Sequence, residues 1–387
     1  MVSRLSQGLT VTGAAQGRVV VVAANSSWNV VNFRSELIRA LQAEGYRVVA
    51  LAPEDGHTPR LAELGVEFRP IAMKNSGMSP LADLLLLFRY VQALRKIGPG
   101  VFLGFTIKPN IYGSLAAHAL GIRVVNNISG LGTAFIQQGL LTRIVTVLYK
   151  LALRGSSRIF FQNREDLALF VQNKIVRPGQ AQLIPGSGVD LERFKPAKAA
   201  AANDGQLRFL LIARLLWDKG VQEFVDAARA IKAIDPRIRC QILGFVAVDN
   251  RTAVPRAALD GWVREGWIDY LGETDDVRPI IEQADCVVLP SYREGMPRAL
   301  LEASAMGKPV IGTDVPGVRE AVDDWATGFL CKVRSARSLA DAMLNMARLA
   351  PTERARLGSA GRRKIEREFS QTLVIEQYLG ATAGTIT

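Results

Sequence analysis

The sequence is poor in metal ligands. It holds two histidines, His57 and His118, and three scattered cysteines, Cys240, Cys286 and Cys331, in 387 residues. A histidine-based zinc site is implausible on that supply, and the cysteines read as buried thiols of a reducing compartment. Long apolar runs are missing too. The longest uncharged stretch, Val124 to Thr142, is broken by Asn126, Asn127, Gln137 and Gln138, so no membrane-spanning helix is expected. Residues 1–17 lack the apolar core of a signal peptide and read as a loose tail. A GxGxxG pattern is absent from the loop after the first strand, where Ser26, Ser27 and Trp28 stand, so a dinucleotide site is unsupported.

Acidic residues are absent from one long stretch. Leu84 to Arg164 holds no Asp or Glu but ten lysines and arginines, in a chain of net charge +12. A basic face of this kind attracts an anionic surface, whether phospholipid, nucleic acid or a phosphorylated substrate. Nucleic acid fits least, because the stretch is apolar rather than studded with aromatics and carries no nucleic-acid motif.

What the chain does have is a strand–helix rhythm repeated twice. Arg18–Ala24, Tyr46–Ala52, Val101–Phe105, Arg123–Asn127 and Ser157–Gln162 read as strands, and so do Leu207–Ala213, Gln241–Gly244, Trp267–Gly272, Asp285–Leu289 and Phe329–Val333. Helical periods between them imply parallel sheets with ligands at the strand C-terminal ends. Phe194 to Gln206, rich in Ala, Lys and Pro, reads as a linker between domains at 18–196 and 207–369. Two basic helices stand out. Asp83–Ile97 has Leu84, Leu87, Phe88, Val91 and Leu94 as its expected apolar side; Gln138–Arg154 has Leu141, Ile144, Val145, Leu148 and Leu151. Each suits either a membrane surface or ordinary packing on a sheet. His118, set among alanines, reads as a packed helix residue.

The chain is organised around Asp285–Glu320, which reads as strand, loop, helix, strand and loop. Pro297 suits a first helical turn and Gly307 a helix stop. Glu294 and Glu302 mark the two ends of this unit. Eight helical steps put them about 12 Å apart, too far to share one bond-breaking event and suited to gripping two ends of a long ligand. Between them the amides of Gly295 and Met296 offer a site for a diphosphate. Two solvated surface acids would account for the spacing equally well.

With Glu294-Gly295-Met296-Pro297 and Leu300-Leu301-Glu302-Ala303, the unit resembles the E-x7-E element of GT-B, family-4-type glycosyltransferases. That resemblance implies two Rossmann-like doubly wound domains, an α/β GT-B fold, facing across a cleft. It implies that Glu294 contacts the donor sugar and Glu302 the nucleotide ribose, with Gly295, Met296, Pro297 and Gly272 also on the donor. Arg214 and Lys219 match the family's Arg…Lys-Gly pair, suited to a diphosphate whose charge grows as the sugar departs. The stretches holding Lys108, Asn110, Tyr112, Asn127 and Ser129 resemble the subgroup acting on undecaprenyl-pyrophosphate-linked sugars, which implies an acceptor role for these five.

The histidine common in the family is replaced here around Ile128 and Ser129, so no histidine is assigned to catalysis. The resemblance further implies a UDP-sugar co-substrate, retention of configuration, no metal, a lipid-linked saccharide acceptor, and peripheral attachment to the inner face of the cell membrane. It also implies that residues 370–387 cross back to the first domain. Two other readings stay open: an acceptor that is soluble or a lipopolysaccharide core, and a non-catalytic binder of membrane or nucleic acid.

Overall fold

A computed structural model describes residues 18–74, 79–130, 140–197, 205–246 and 252–384. The first domain runs β1 (Val19–Ala23), α1 (Ser27–Ala43), β2 (Arg47–Ala52), α2 (Thr58–Glu63), β3 (Glu67–Pro70), α3 (Pro80–Ile97), β4 (Val101–Phe105), α4 (Ser114–Ala119), β5 (Arg123–Ile128), α5 (Leu140–Leu153), β6 (Arg158–Phe161), α6 (Arg164–Gln172) and β7 (Ala181–Leu183). The second runs β8 (Leu207–Ile212), α7 (Val221–Lys232), β9 (Ile238–Leu243), α8 (Arg256–Arg264), β10 (Asp269–Tyr270), α9 (Arg278–Gln283), β11 (Cys286–Leu289), α10 (Arg298–Ala305), β12 (Val310–Thr313), α11 (Val318–Ala321), β13 (Gly328–Cys331), α12 (Ala336–Arg348), α13 (Pro351–Glu368) and α14 (Gln371–Ala383).

Each domain is built on one sheet. The first orders its strands β3-β2-β1-β4-β5-β6-β7, the second β10-β9-β8-β11-β12-β13, and every pair is parallel. Runs such as Val19–Ala23 are buried throughout because helices cover both sheet faces, so strands become continuously apolar. Both sheets reverse direction of growth at a switch point, β1/β4 in one and β8/β11 in the other. Such points open a crevice beyond the strand C-termini, which is where ligands bind in this architecture.

Helix α14 belongs in space to the first domain. Val374 and Tyr378 are buried in its core, and the Tyr378 ring lies 4.8 Å from that of Phe160 and 5.8 Å from that of Phe105. Backbone hydrogen bonds from Val189 N to Phe369 O (2.9 Å) and from Gln371 N to Val189 O (3.0 Å) fix the crossing. Most of the expected linker, 198–204, lies outside the described residues. All three cysteines are buried.

The two basic helices differ from expectation in the face they bury. In α3 the buried residues are Asp83, Leu86, Tyr90 and Leu94, while Leu84 is 63% and Phe88 56% exposed. A Lys108–Asp83 ion pair of 2.8 Å accompanies the inward Asp83; Leu94 is buried as expected and Leu87 and Val91 pack partly against the core, so only the Leu84 and Phe88 part of the expected face turns outward. In α5 the buried side is Val145, Tyr149, Ala152 and Leu153, leaving Ile144, Val147 and Leu151 exposed. The side chain of Leu141 lies outside the described residues.

Candidate active site

The second domain assembles the site from neighbouring strand ends. β8 pairs with β11, so the turn after β8 and the loop after β11 lie side by side. Tyr292 N donates to Asp218 O at 2.9 Å, and the Tyr292 hydroxyl meets a Glu223 carboxylate oxygen at 2.8 Å, which ties the two loops together. Gly220 turns the chain into α7 at φ 72°, where a Cβ would meet Pro290 O at 2.1 Å; only glycine fits so close a crossing. The result is an ion pair of Lys219 Nζ with Glu294 Oε1 at 2.6 Å. Arg214 stands exposed on the same turn, with no side-chain partner among the described residues.

Glu302 lies within α10 and is 7% exposed. The helix begins at Arg298, so Pro297 precedes it instead of opening its first turn, and Glu294 to Met296 form a loop. Burial raises the Glu302 carboxyl above its ordinary value, and the Arg298 guanidinium one turn earlier, bonded to it, opposes that shift. Arg298 also reaches the first domain: it donates to Asn32 O and lies 4.9 Å from the Phe33 ring centre. Gly272 lies two residues beyond β10, and its carbonyl accepts from Gly244 N at 2.8 Å.

Gly295 is the point where the domains meet. A Cβ on it would come within 2.0 Å of Ser129 O, so the loop after β11 and the loop after β5 touch backbone to backbone. Asn163 Nδ2 donates to Gly295 O at 3.1 Å, and Arg293 forms an ion pair with the buried Asp166. Desolvation raises the Asp166 carboxyl above its ordinary value, while Arg293 pulls the other way. Arg319 pairs with Glu165, and Arg164 N donates to Glu320 Oε1 at 2.8 Å. Four polar contacts thus cross the cleft beside the Gly295–Ser129 backbone contact.

The first-domain candidates are mostly engaged internally. Asn110 Nδ2 donates to Asn127 O at 2.7 Å, and Asn126 Nδ2 donates to Asn110 Oδ1 at 2.9 Å. Asn127 Nδ2 donates to the Tyr378 hydroxyl at 2.6 Å, while its Oδ1 accepts from Ser129 Oγ at 2.7 Å. Lys108 is held by Asp83, and burial pushes the Tyr112 phenol, bonded to the same Asp83, up to about 12. Of the five, Ser129 stands against the loop after β11, through its backbone beside Gly295. His118 packs against α5 with Nε2 at 3.0 Å from Ala152 O, and burial lowers its pKa.

Sequence reasoning missed Arg293, Arg298 and Thr106. The i,i+4 spacing of Arg298 and Glu302 was a usable signal. Thr106, at the end of β4, sits at φ 67°, a left-handed conformation rare for a β-branched residue, and its buried hydroxyl has no partner among the described residues.

Comparison with known proteins now decides the family. Residues 193–364 match the model described as Glycosyl transferases group 1, and residues 30–186 match Glycosyl transferase 4-like domain. The two domains together are those of a group 1, GT-B glycosyltransferase. A relative from Campylobacter jejuni, N,N'-diacetylbacillosaminyl-diphospho-undecaprenol alpha-1,3-N-acetylgalactosaminyltransferase, is 27% identical over 91% of this chain and 94% of its own. An Escherichia coli relative, UDP-Gal:alpha-D-GlcNAc-diphosphoundecaprenol alpha-1,3-galactosyltransferase, is 27% identical over 72% of this chain and 74% of its own. The fold matches sucrose-phosphate synthase from Thermosynechococcus elongatus with a TM-score of 0.78 at 19% identity, over 95% of this chain and 100% of the other. It matches Anabaena Alr3699/HepE in complex with UDP at 0.75 and 17% identity, with the same coverage. In this glycosyltransferase Glu294 lies in the loop after β11 and Glu302 within α10, both in the group 1 domain.

Proposed function

We propose that the protein moves a hexose or N-acetylhexosamine from a UDP-sugar to a polyprenyl-diphosphate-linked saccharide. The observation that carries the donor half is the Lys219–Glu294 ion pair beside exposed Arg214, with buried Glu302 farther along the same unit. In this reading Lys219 leaves Glu294 when the diphosphate arrives, and Glu294 then takes the sugar hydroxyls. The bond from the anomeric carbon to the β-phosphate oxygen breaks, and Arg214 and Lys219 stabilise the charge gathering there. The acceptor hydroxyl attacks from the face the diphosphate leaves, and its proton passes to a departing phosphate oxygen. Configuration is retained, no enzyme base is needed, and no metal is assigned a part.

The acceptor half rests on the two relatives, whose names both specify a diphosphoundecaprenol acceptor. Membrane docking fits the chain's own surface: Leu81, Leu84, Leu85 and Phe88 of α3 and Ile144, Val147 and Leu151 of α5 are exposed within or beside the acid-free stretch. No helix among the described residues is long and apolar enough to cross a membrane, so we infer peripheral attachment to the anionic inner leaflet. The test is transfer of radiolabel from UDP-sugars to a short-chain polyprenyl-diphosphate saccharide, with the product anomer read by NMR. An inverted anomer would end the retaining mechanism, and equal transfer to the lipid-free saccharide would end the lipid-acceptor reading.

A further inference from the structure

A groove of about 540 Å³ lies behind α5, at the end of the first domain away from the cleft. It is formed where the C-terminal half of α5 meets the chain leaving α6. Its floor is apolar, with Ile175 and Val176 buried and Val147 and Leu151 each 56% exposed along one wall. Four cations stand around it: Lys150, Arg154, Lys174 and Arg177. No acidic side chain lines it, and Lys150, Arg154 and Lys174 make no ion pair among the described residues. Lys174, two residues beyond the end of α6, takes a left-handed backbone at φ 53°, the position usually given to glycine.

We propose that this groove binds one anionic phospholipid from the membrane, and so sets lipid selectivity for the docked enzyme. The proposal rests on the membrane reading above and adds a specific site to it. An apolar floor with a cationic rim matches an amphiphile whose phosphate meets the lysines and whose first methylenes cover Val147 and Leu151. A volume of this size takes a headgroup and the start of an acyl chain. The groove lacks aromatic side chains, which argues against stacked bases. It lies at the far end of α5 from the strand C-termini, so it is separate from the reacting sugars.

Flotation of the full chain with vesicles tests this. Wild type should float with mixed phosphatidylcholine–phosphatidylglycerol vesicles and much less with phosphatidylcholine alone. Lys150→Gln/Lys174→Gln should lower affinity for the mixed vesicles about thirtyfold. Lys150→Arg/Lys174→Arg should restore it. Leu84→Ser/Phe88→Ser on α3 should weaken capture by both vesicle types while keeping the preference for phosphatidylglycerol. The thermal shift with UDP should be unchanged in every variant, which separates failure of the groove from failure of the donor site. Undiminished phosphatidylglycerol preference in Lys150→Gln/Lys174→Gln would overturn the proposal. So would competition of vesicle binding by an acidic peptide, or failure of wild type to float with mixed vesicles.

Discussion

The two domains share one architecture but place their polar groups differently. The second sets Lys219 and Glu294 on the rim of the cleft as an ion pair, with Arg214 exposed beside them. The first buries Asn110, Asn126 and Asn127 in a closed network that ends on Tyr378 of α14. Charged groups at an open rim can change partners when a ligand arrives. Buried amides satisfied by one another cannot do so without leaving unpaired atoms, which is costly. The second domain is thus built for exchange and the first for shape, with Ser129 against Gly295 as their meeting point.

Removing a rim charge gives the largest expected effect. Lys219→Ala should lower kcat by about 10²–10³-fold with little change in melting temperature. A loss confined to melting temperature would erase the contrast between the domains. Asn127→Ala should do the reverse, costing about 2 kcal/mol of stability by orphaning the Tyr378 hydroxyl and Ser129. Denaturant titration measures it, and a changed acceptor KM without lost stability would put Asn127 at the substrate instead. Asp166→Ala leaves Arg293 without its partner and should cost about 1–3 kcal/mol, read by the same titration; loss of a contact between the domains should also widen their separation in small-angle scattering.

Glu302 offers a smaller effect with a definite sign. Burial holds its carboxyl above the ordinary range in the folded state. A group raised in this way contributes stability that is complete below its unfolded value and is lost as pH rises through its folded value. Glu302→Gln removes that loss, so its melting temperature relative to wild type should improve as pH rises above the ordinary carboxylate range. Its response to UDP should fall at the same time. The smallest effect belongs to Leu84→Ser/Phe88→Ser, whose side chains are exposed: stability should stay within about 0.5 kcal/mol by thermal melting.

The same contrast governs what was legible beforehand. Strand and helix alternation, and the unit around Glu294 and Glu302, could be read because their signals are local: valine runs, a proline, a glycine stop and a short spacing. The face of α3 could be read only in part, with Leu94 inside as expected and Leu84 and Phe88 outside. Leu84 to Phe88 is five apolar residues in a row, so several helical faces fit, and the choice falls to Asp83 pairing with a lysine 25 residues away. Edge strand β3, Glu-Phe-Arg-Pro, was missed because an edge needs little apolar content and tolerates proline. The seam between domains was equally hidden, since Arg293 and Asp166 lie 127 residues apart. Asn110 and Asn127 were grouped correctly in space, but their motif could not say whether their amides face a ligand or each other.

The central claim is a UDP-sugar site built on Lys219, Glu294 and Glu302. Its most direct test is thermal unfolding of wild type and Lys219→Ala with UDP, GDP and ADP in parallel. Ligand at about a hundred times its dissociation constant adds about 2.7 kcal/mol, an easily measured shift. The account predicts a rise with UDP alone in wild type and its loss in Lys219→Ala. A rise with GDP or ADP in place of UDP, or an equal rise with UDP in both proteins, would contradict it.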